Sequence, residues 1–492
     1  MSIRANRATS HRLRRCVAWP AAALAVLLTA CGATVTPTPT PPAPSAATII
    51  PGDSAGPSLT APRIDAARIR THLLALQAIA VANDGVRTAG TAGYDGSVEY
   101  VAGQLRDLGY AVQTPEFEMA TFTEEPGASI RIGGGAAFAG GPDFHAMIYS
   151  ASGEITAPIA EVGFATNEIG GCEASDFAGF PRDAIALAPA GPCSRRDVVM
   201  NAVDAGAAAL VVSYAQWSTG AVRRPTLRSP EGIAIAALSA SREVGDALRA
   251  AADDGAQVII SVRTEIGSAI VPNVIAESNA LGDRVVMLGG HLDSVHDGPG
   301  LNDNGSGVAA LLEVARVMAE QQPSMRVRFA FWGGEELGLF GSRAYVEALG
   351  SAERAEIAAY LNFDMLGSPN YVPLVYDSPS AAAGSKAIAD YLVKYLGELG
   401  VGAEPRDVGA ASDHASFDDV GIPTGGIFSG ASEIKSAVEA ANFGGTAEAP
   451  MDACYHLACD TVANVRIDLV ADFAEAALAL TLAIASGGLS LS

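Results

Sequence analysis

The sequence predicts an α/β fold: a mixed, mostly parallel sheet sandwiched by helices, with a smaller inserted domain. Three observations carry this. From Pro272 onward, short apolar runs of strand length alternate with helix-length amphipathic segments, the pattern of a sheet covered on both faces. Between about Thr121 and Thr264 the composition shifts to Ala, Gly and Val, as an insertion would. The 492 residues, 49% hydrophobic and 17% charged, exclude a disordered or fibrous chain and suggest two or three domains.

The first 30 residues read as a signal. They hold five of the 31 basic residues and no acid. An apolar run from Val17 to Leu28 follows the arginines and is short for a span of about 20 residues. Leu28-Thr29-Ala30-Cys31 resembles a bacterial lipobox, which implies cleavage before Cys31 and its lipidation; plain secretion and an uncleaved anchor are the alternatives. Residues 31–62, rich in Thr and Pro, form a tether that cannot bury enough surface to offset its ordering entropy. The expected location is extracytoplasmic, lipid-anchored to a bacterial membrane on its periplasmic or cell-surface side, or secreted. Cys172 with Cys193 and Cys454 with Cys459 are sequence-local pairs, expected as disulfides in that compartment; separate buried thiols are the alternative. No CxxC spacing supports a zinc site made from them.

Residues 63–120 open the folded body with helices over Ile64 to Ala80 and Ser97 to Leu108, then a strand over Tyr110 to Phe117. Residues 121–264 form the insertion, with strands at 184–187 and 209–213 and a helix from Arg196 to Ala205. Residues 265–492 carry strands at 273–277, 284–289, 326–332, 358–363 and 425–428, with helices at 307–320, 337–349, 385–396 and 469–484 between and after them. No repeat of 20 to 50 residues occurs.

The chemistry-bearing residues fall where these strands end, the place where such sheets bind ligands. His291 and Asp293 follow one strand, Asp303 lies in GPGLNDNGSG, Glu335 and Glu336 follow FAFWGG, Asp364 ends YLNFD, and His456 sits in CYHLAC. Each has an ordinary alternative: a hydrogen-bonded histidine, a turn aspartate, an acidic partner of a helix N-terminus. The two imidazoles with three of these carboxylates make a ligand set suited to paired Zn²⁺. The formal charge of −23 argues against nucleic acid, whose phosphates require Lys and Arg.

GGHLDSVHDGPGLNDNGSG, RFAFWGGEELGLFGS, LNFDMLGSPN, SDHASF and CYHLACDT resemble the co-catalytic zinc aminopeptidases of peptidase family M28, across most of residues 270–485. PRDAIALAPAGPC and NAVDAGAAALVVSY resemble a protease-associated (PA) domain, an insertion common in that family. The resemblance implies a zinc-exopeptidase fold and two Zn²⁺ per chain. His291 and Asp364 would hold one ion, Glu336 and His456 the other, and Asp303 would bridge them, with a hydroxide between the metals as nucleophile. It also implies a cis bond at Asp303-Asn304, Asp293 orienting His291, Glu335 as general base, and Tyr455 as hydrogen-bond donor to the oxyanion. The Cys454–Cys459 pair flanks Tyr455 and His456 and would hold both in place.

The expected activity is release of N-terminal residues, bulky and apolar by preference, from peptides with a free N-terminus. The implied rivals are a carboxypeptidase or another zinc amidohydrolase such as a glutaminyl cyclase, and a non-catalytic binding lipoprotein whose PA domain recruits a protein partner. The sequence departs from its resemblance at Ala410-Ala411, where an arginine that holds a substrate carboxylate is expected. His414 is expected beside the pocket without binding metal, and His296 at its rim; His72 and His145 fall outside it. Phe428 is a candidate wall for the first side chain or a core residue. No motif supports calcium.

Overall fold

The computed structural model describes residues 63–164, 170–218 and 220–491. The signal, the lipidation site Cys31 and the tether lie outside the described residues. Among the described residues, no helix is long and apolar enough to cross a membrane.

The body opens with α1 (Ala66–Ala82) and α2 (Ala92–Asp107), capped by Asp65 and Thr91, whose side chains accept from Ala67 N and Tyr94 N. Strand β1 (Ala111–Gln113) follows. After the insertion come β2 (Val274–Glu277), β3 (Val285–His291), α3 (Gly305–Met318), β4 (Arg326–Trp332), α4 (Glu335–Gly338) and α5 (Phe340–Ala348). The chain ends with β5 (Ile357–Phe363), β6 (Leu374–Tyr376), α6 (Ser385–Glu398), β7 (Glu404–Arg406), α7 (His414–Asp418), β8 (Thr424–Phe428) and α8 (Ile467–Ala485).

The eight strands lie in the order β1-β2-β4-β3-β5-β8-β6-β7. The central four, β4, β3, β5 and β8, are parallel, and the antiparallel pairs lie at β1·β2, β2·β4 and β6·β8. Alternation sets the two faces: Val286 and Leu288 of β3 join the core under α1, α3, α6 and α8, whereas Val285 and Met287 meet Phe417 of α7 and Val346 of α5. The expected mixed, mostly parallel sheet between helices is present.

The chain leaves this body along Glu116–Glu124 and returns along Thr264–Pro272, two strands paired antiparallel from Glu116↔Pro272 to Glu124↔Thr264. Between them lies a second eight-stranded sheet, with helices Arg195–Ala205 and Arg242–Asp253. Body and insert belong to one compact unit, Ala61–Ser492. Cys172 is bonded to Cys193 in the insert and Cys454 to Cys459 in the body. The two bonds mark a chain that matures outside the reducing cytosol.

Candidate metal centre

Four parallel strands ending on one edge bring their following loops together. His291 is the last residue of β3, and Asp303 and Asn304 enter α3 through a cis peptide bond. Asn304 ties α3 to the end of β5: its Oδ1 accepts from Gly307 N at 2.9 Å and its Nδ2 donates to Phe363 O at 2.8 Å. The approach is close enough that a Cβ on Gly307 would stand 2.2 Å from Phe363 O, so glycine is required there. Asp364 follows β5 directly. Glu335 and Glu336 start α4, with their backbone N–H groups directed at the Asp293 carboxylate at 3.3 and 3.4 Å.

The predicted ligands converge as two groups sharing one carboxylate, His291 with Asp303 and Asp364, and Asp303 with Glu336 and His456; within each group the ligand atoms lie within 4.8 Å of one another. His291 Nε2 lies 3.1 Å from Asp303 Oδ1 and 3.3 Å from Asp364 Oδ1. His456 Nε2 lies 3.1 Å from both Asp303 Oδ2 and Glu336 Oε2. Asp364 Oδ1 and Glu336 Oε1 are buried without a hydrogen-bond partner. Buried carboxylate oxygens without donors are costly unless a cation meets them, and mixed nitrogen and oxygen donors suit zinc. The residues therefore fit a pair of metal ions.

The field of the site shows the same demand. Burial pushes the Glu336 carboxyl up to about 7 and Glu335 well above the usual range. Burial alone would lower both imidazoles, but the surrounding carboxylates outweigh it. Asp364 and Glu335 hold His291 well above its ordinary value, and Glu336 and Asp303 raise His456 to about 10. Against burial, hydrogen bonds from both histidines hold Asp303 far below the ordinary range. Asp293 meets His291 Nδ1 through its backbone oxygen at 3.1 Å, with its Oδ1 at 3.7 Å.

Glu335, Tyr455 and Phe428 line a cavity of about 260 Å³ together with Met365, Leu374 and Tyr376. Tyr455 stacks on His456 with ring centroids 3.8 Å apart, inside the loop closed by Cys454 and Cys459. His414 lies outside both ligand groups: its Nε2 faces Gly409 O at 2.8 Å. His296 lines a small neighbouring cavity with Arg224 and Asp297, while His72 meets Tyr100 and His145 meets Glu124 away from the centre.

Three further groups, given no role in the sequence analysis, hold the loops in place. Arg87 is fully buried and donates to the carbonyls of Leu292, Pro299 and Gly300; burial lowers its guanidinium to about 10. Asp460 accepts the N–H groups of Asn302 and Asp303 at 2.8 and 3.1 Å, fixing the loop that carries the shared carboxylate. Ser412 Oγ donates to Asp364 Oδ2 at 2.7 Å.

Comparison with known proteins agrees with this geometry. Residues 273–481 match the profile of Peptidase family M28, and residues 155–248 match the PA domain. An aminopeptidase of Pseudomonas aeruginosa is 37% identical over 449 residues, 87% of this chain and 82% of its own. A Mycobacterium tuberculosis protein named "Probable lipoprotein aminopeptidase LpqL" is 38% identical over 423 residues, 82% of this chain and 81% of its own. The solved aminopeptidase from Aneurinibacillus sp. strain AM-1 superposes with a TM-score of 0.68 at 25% identity, covering 87% of this chain and 96% of that one. With likeness sustained over both the catalytic body and its PA insertion, the chain belongs to peptidase family M28.

Proposed function

We propose that this M28 aminopeptidase holds two zinc ions and releases bulky apolar residues from peptides with a free N-terminus. The observation that carries the reading is Asp303, whose two oxygens each face a different imidazole at 3.1 Å. His291, Asp303 and Asp364 would hold one ion; Asp303, Glu336 and His456 would hold the other. A bound zinc pair supplies Lewis acidity at the scissile carbonyl and a water acidic enough to react near neutral pH.

The protein's own groups do the rest. Glu335 takes the proton of the attacking water and returns it to the leaving amine, a role favoured by the burial that raises its pKa. With Asp364 it also receives the substrate's α-amine, so an acylated substrate loses both contacts. The Tyr455 phenol, kept protonated by burial, donates to the developing oxyanion. Met365, Leu374 and Phe428 give the first side chain an apolar wall. Asp293 seats α4 through two backbone N–H groups and flanks His291.

Residues 63–120 and 265–492 form the catalytic body in this proposal, and residues 121–264 the PA insertion, which offers a surface to a protein partner. Cys31 carries the lipid, in keeping with the lipoprotein name of the mycobacterial relative. The test pairs leucine p-nitroanilide with its N-acetyl counterpart in wild type and Glu335→Gln. Only the free-amine substrate should turn over, with loss on chelation and recovery with Zn²⁺. The variant should keep its zinc and lose about 10²–10⁴-fold in kcat. Unchanged turnover removes Glu335 as base, and equal cleavage of the acetylated substrate refutes the exopeptidase reading.

A further inference from the structure

We infer that the inserted domain supplies a carboxylate receptor, Arg228, that selects short peptides whose free C-terminus lies just beyond the scissile bond. The inference deepens the aminopeptidase reading and rests on it.

Two cavities meet at the catalytic group. The larger holds the apolar wall of Met365, Leu374 and Phe428. The smaller, about 100 Å³, shares Glu335, Glu336, Ala411, Tyr455 and His456 with it and is closed on its far side by Ile148, Arg224, Thr226 and Arg228 of the insert. A peptide bond set against Glu335, with its first side chain in the apolar cavity, directs its leaving residue into the smaller one. In a dipeptide that residue carries a carboxylate. It would enter a site rich in carboxylates on a chain of net charge −23, so it needs a cation.

The two arginines differ in what they have free. Arg224 has its charge and both Nη groups committed, with Nε alone unpartnered: Nη1 holds both oxygens of Asp297 at 3.2 and 3.1 Å, and Nη2 meets Glu124 at 3.1 Å and His145 Nδ1 at 2.9 Å. Arg228 donates instead to a neutral acceptor, the Ala410 carbonyl, at 2.6 Å. Among the described residues no carboxylate pairs with it, which leaves its other N–H donors for the bidentate grip that guanidinium gives a carboxylate.

The position is built, not incidental. Arg228 adopts a left-handed backbone, φ 63°, and its N–H donates to Thr226 Oγ1 at 2.9 Å, while that hydroxyl donates to Leu337 O of α4 at 3.2 Å. Gly338, in the same catalytic turn, approaches so closely that a Cβ would lie 2.5 Å from Arg228 O. Arg196 holds the segment from behind through Ser229 O at 2.7 Å and Glu231 O at 2.6 Å. A guanidinium on so fixed a backbone loses less entropy on meeting a ligand.

The experiment compares kcat/KM for leucyl-glycine and leucyl-glycinamide in the full-length protein, in R228Q and in R228K. Wild type should favour the free acid by about tenfold, the lower range for a charge-assisted hydrogen bond at a half-exposed site. R228Q should bring the ratio towards one, and R228K, with the charge but not the fork, should keep part of it; melting temperatures separate lost recognition from lost fold. A wild-type ratio near one, or a wild-type ratio in folded R228Q, overturns the inference while leaving the aminopeptidase intact. Cleavage of neither dipeptide by the wild type overturns both.

Discussion

Replacing Arg223 by methionine should loosen the catalytic loop from a distance. Arg223 belongs to the insert, is 6% exposed, and donates through Nε to Tyr455 O at 2.7 Å, with a longer contact of 3.4 Å to Ala453 O. Its guanidinium carbon also lies 5.4 Å from the Trp217 ring and 5.9 Å from the Tyr455 ring. A hydrogen bond from a charged donor contributes about 1.5–3 kcal/mol. Each cation–π contact adds about 0.5–1 kcal/mol. The loop they brace needs bracing, because His456 holds a left-handed φ of 59° that a non-glycine residue adopts at a cost. The Cys454–Cys459 bond keeps the loop closed without Arg223, so part of the roughly 2.5–5 kcal/mol is retained. About 1.4 kcal/mol transmitted to His456 is tenfold in zinc affinity, in the range found when partners of metal ligands are removed. Chelator competition reads the affinity, and kcat on leucine p-nitroanilide reads the placement of Tyr455. Zinc affinity within twofold of wild type together with an unchanged kcat would falsify the bracing argument.

Two further substitutions test the framework. Cys459→Ser opens a loop of sequence separation 5 and should lower stability by about 2 kcal/mol and reduce kcat through Tyr455 and His456; the same melting temperature and activity as wild type would refute that coupling. His72 tests acid stability. Burial drives its pKa from 6.5 down to about 4, so between those values the unfolded chain holds a proton that the folded chain refuses. Stability therefore falls as the pH drops through that window, by up to roughly 3 kcal/mol for this group. His72→Gln should flatten the difference between urea midpoints at pH 7 and 4.5, and a slope equal to wild type would remove His72 from the account.

The catalytic strands were legible because each buried run is long enough to show its pattern. The short strands Leu374–Tyr376 and Glu404–Arg406 at one end of the sheet were not, since three residues display no period. The helix expected over residues 337–349 begins earlier, at Glu335, and breaks at Leu339, whose φ is 62°. The metal-facing residues stood out because chemistry-bearing side chains gathered at strand ends. Their supports did not, because they act through backbone groups remote in sequence. Arg87 reaches carbonyls 205 to 213 positions away, and Asp460 accepts N–H groups 157 and 158 positions earlier. The departure at Ala410-Ala411 is of the same kind: the cation beside Ala410 is Arg228, 182 residues upstream in another domain.

The insert's hold on the body follows from where its charges are spent. Arg224 joins Glu124, at the end of the connecting ribbon, to Asp297, on the loop after His291, and Arg224 and Glu124 are only 13% and 7% exposed. An exposed pair would contribute little, but breaking a buried one leaves a charge without a partner. Arg223 grips the Tyr455 loop, Thr226 the turn at Leu337, and Arg228 the Ala410 carbonyl. Four side chains within residues 223–228 thus touch four segments around the centre. Excising the insert would strand Asp297, free the Tyr455 loop and open the smaller cavity together. The catalytic body and the PA insertion are therefore one machine whose wall, not only its scaffold, comes from the inserted chain.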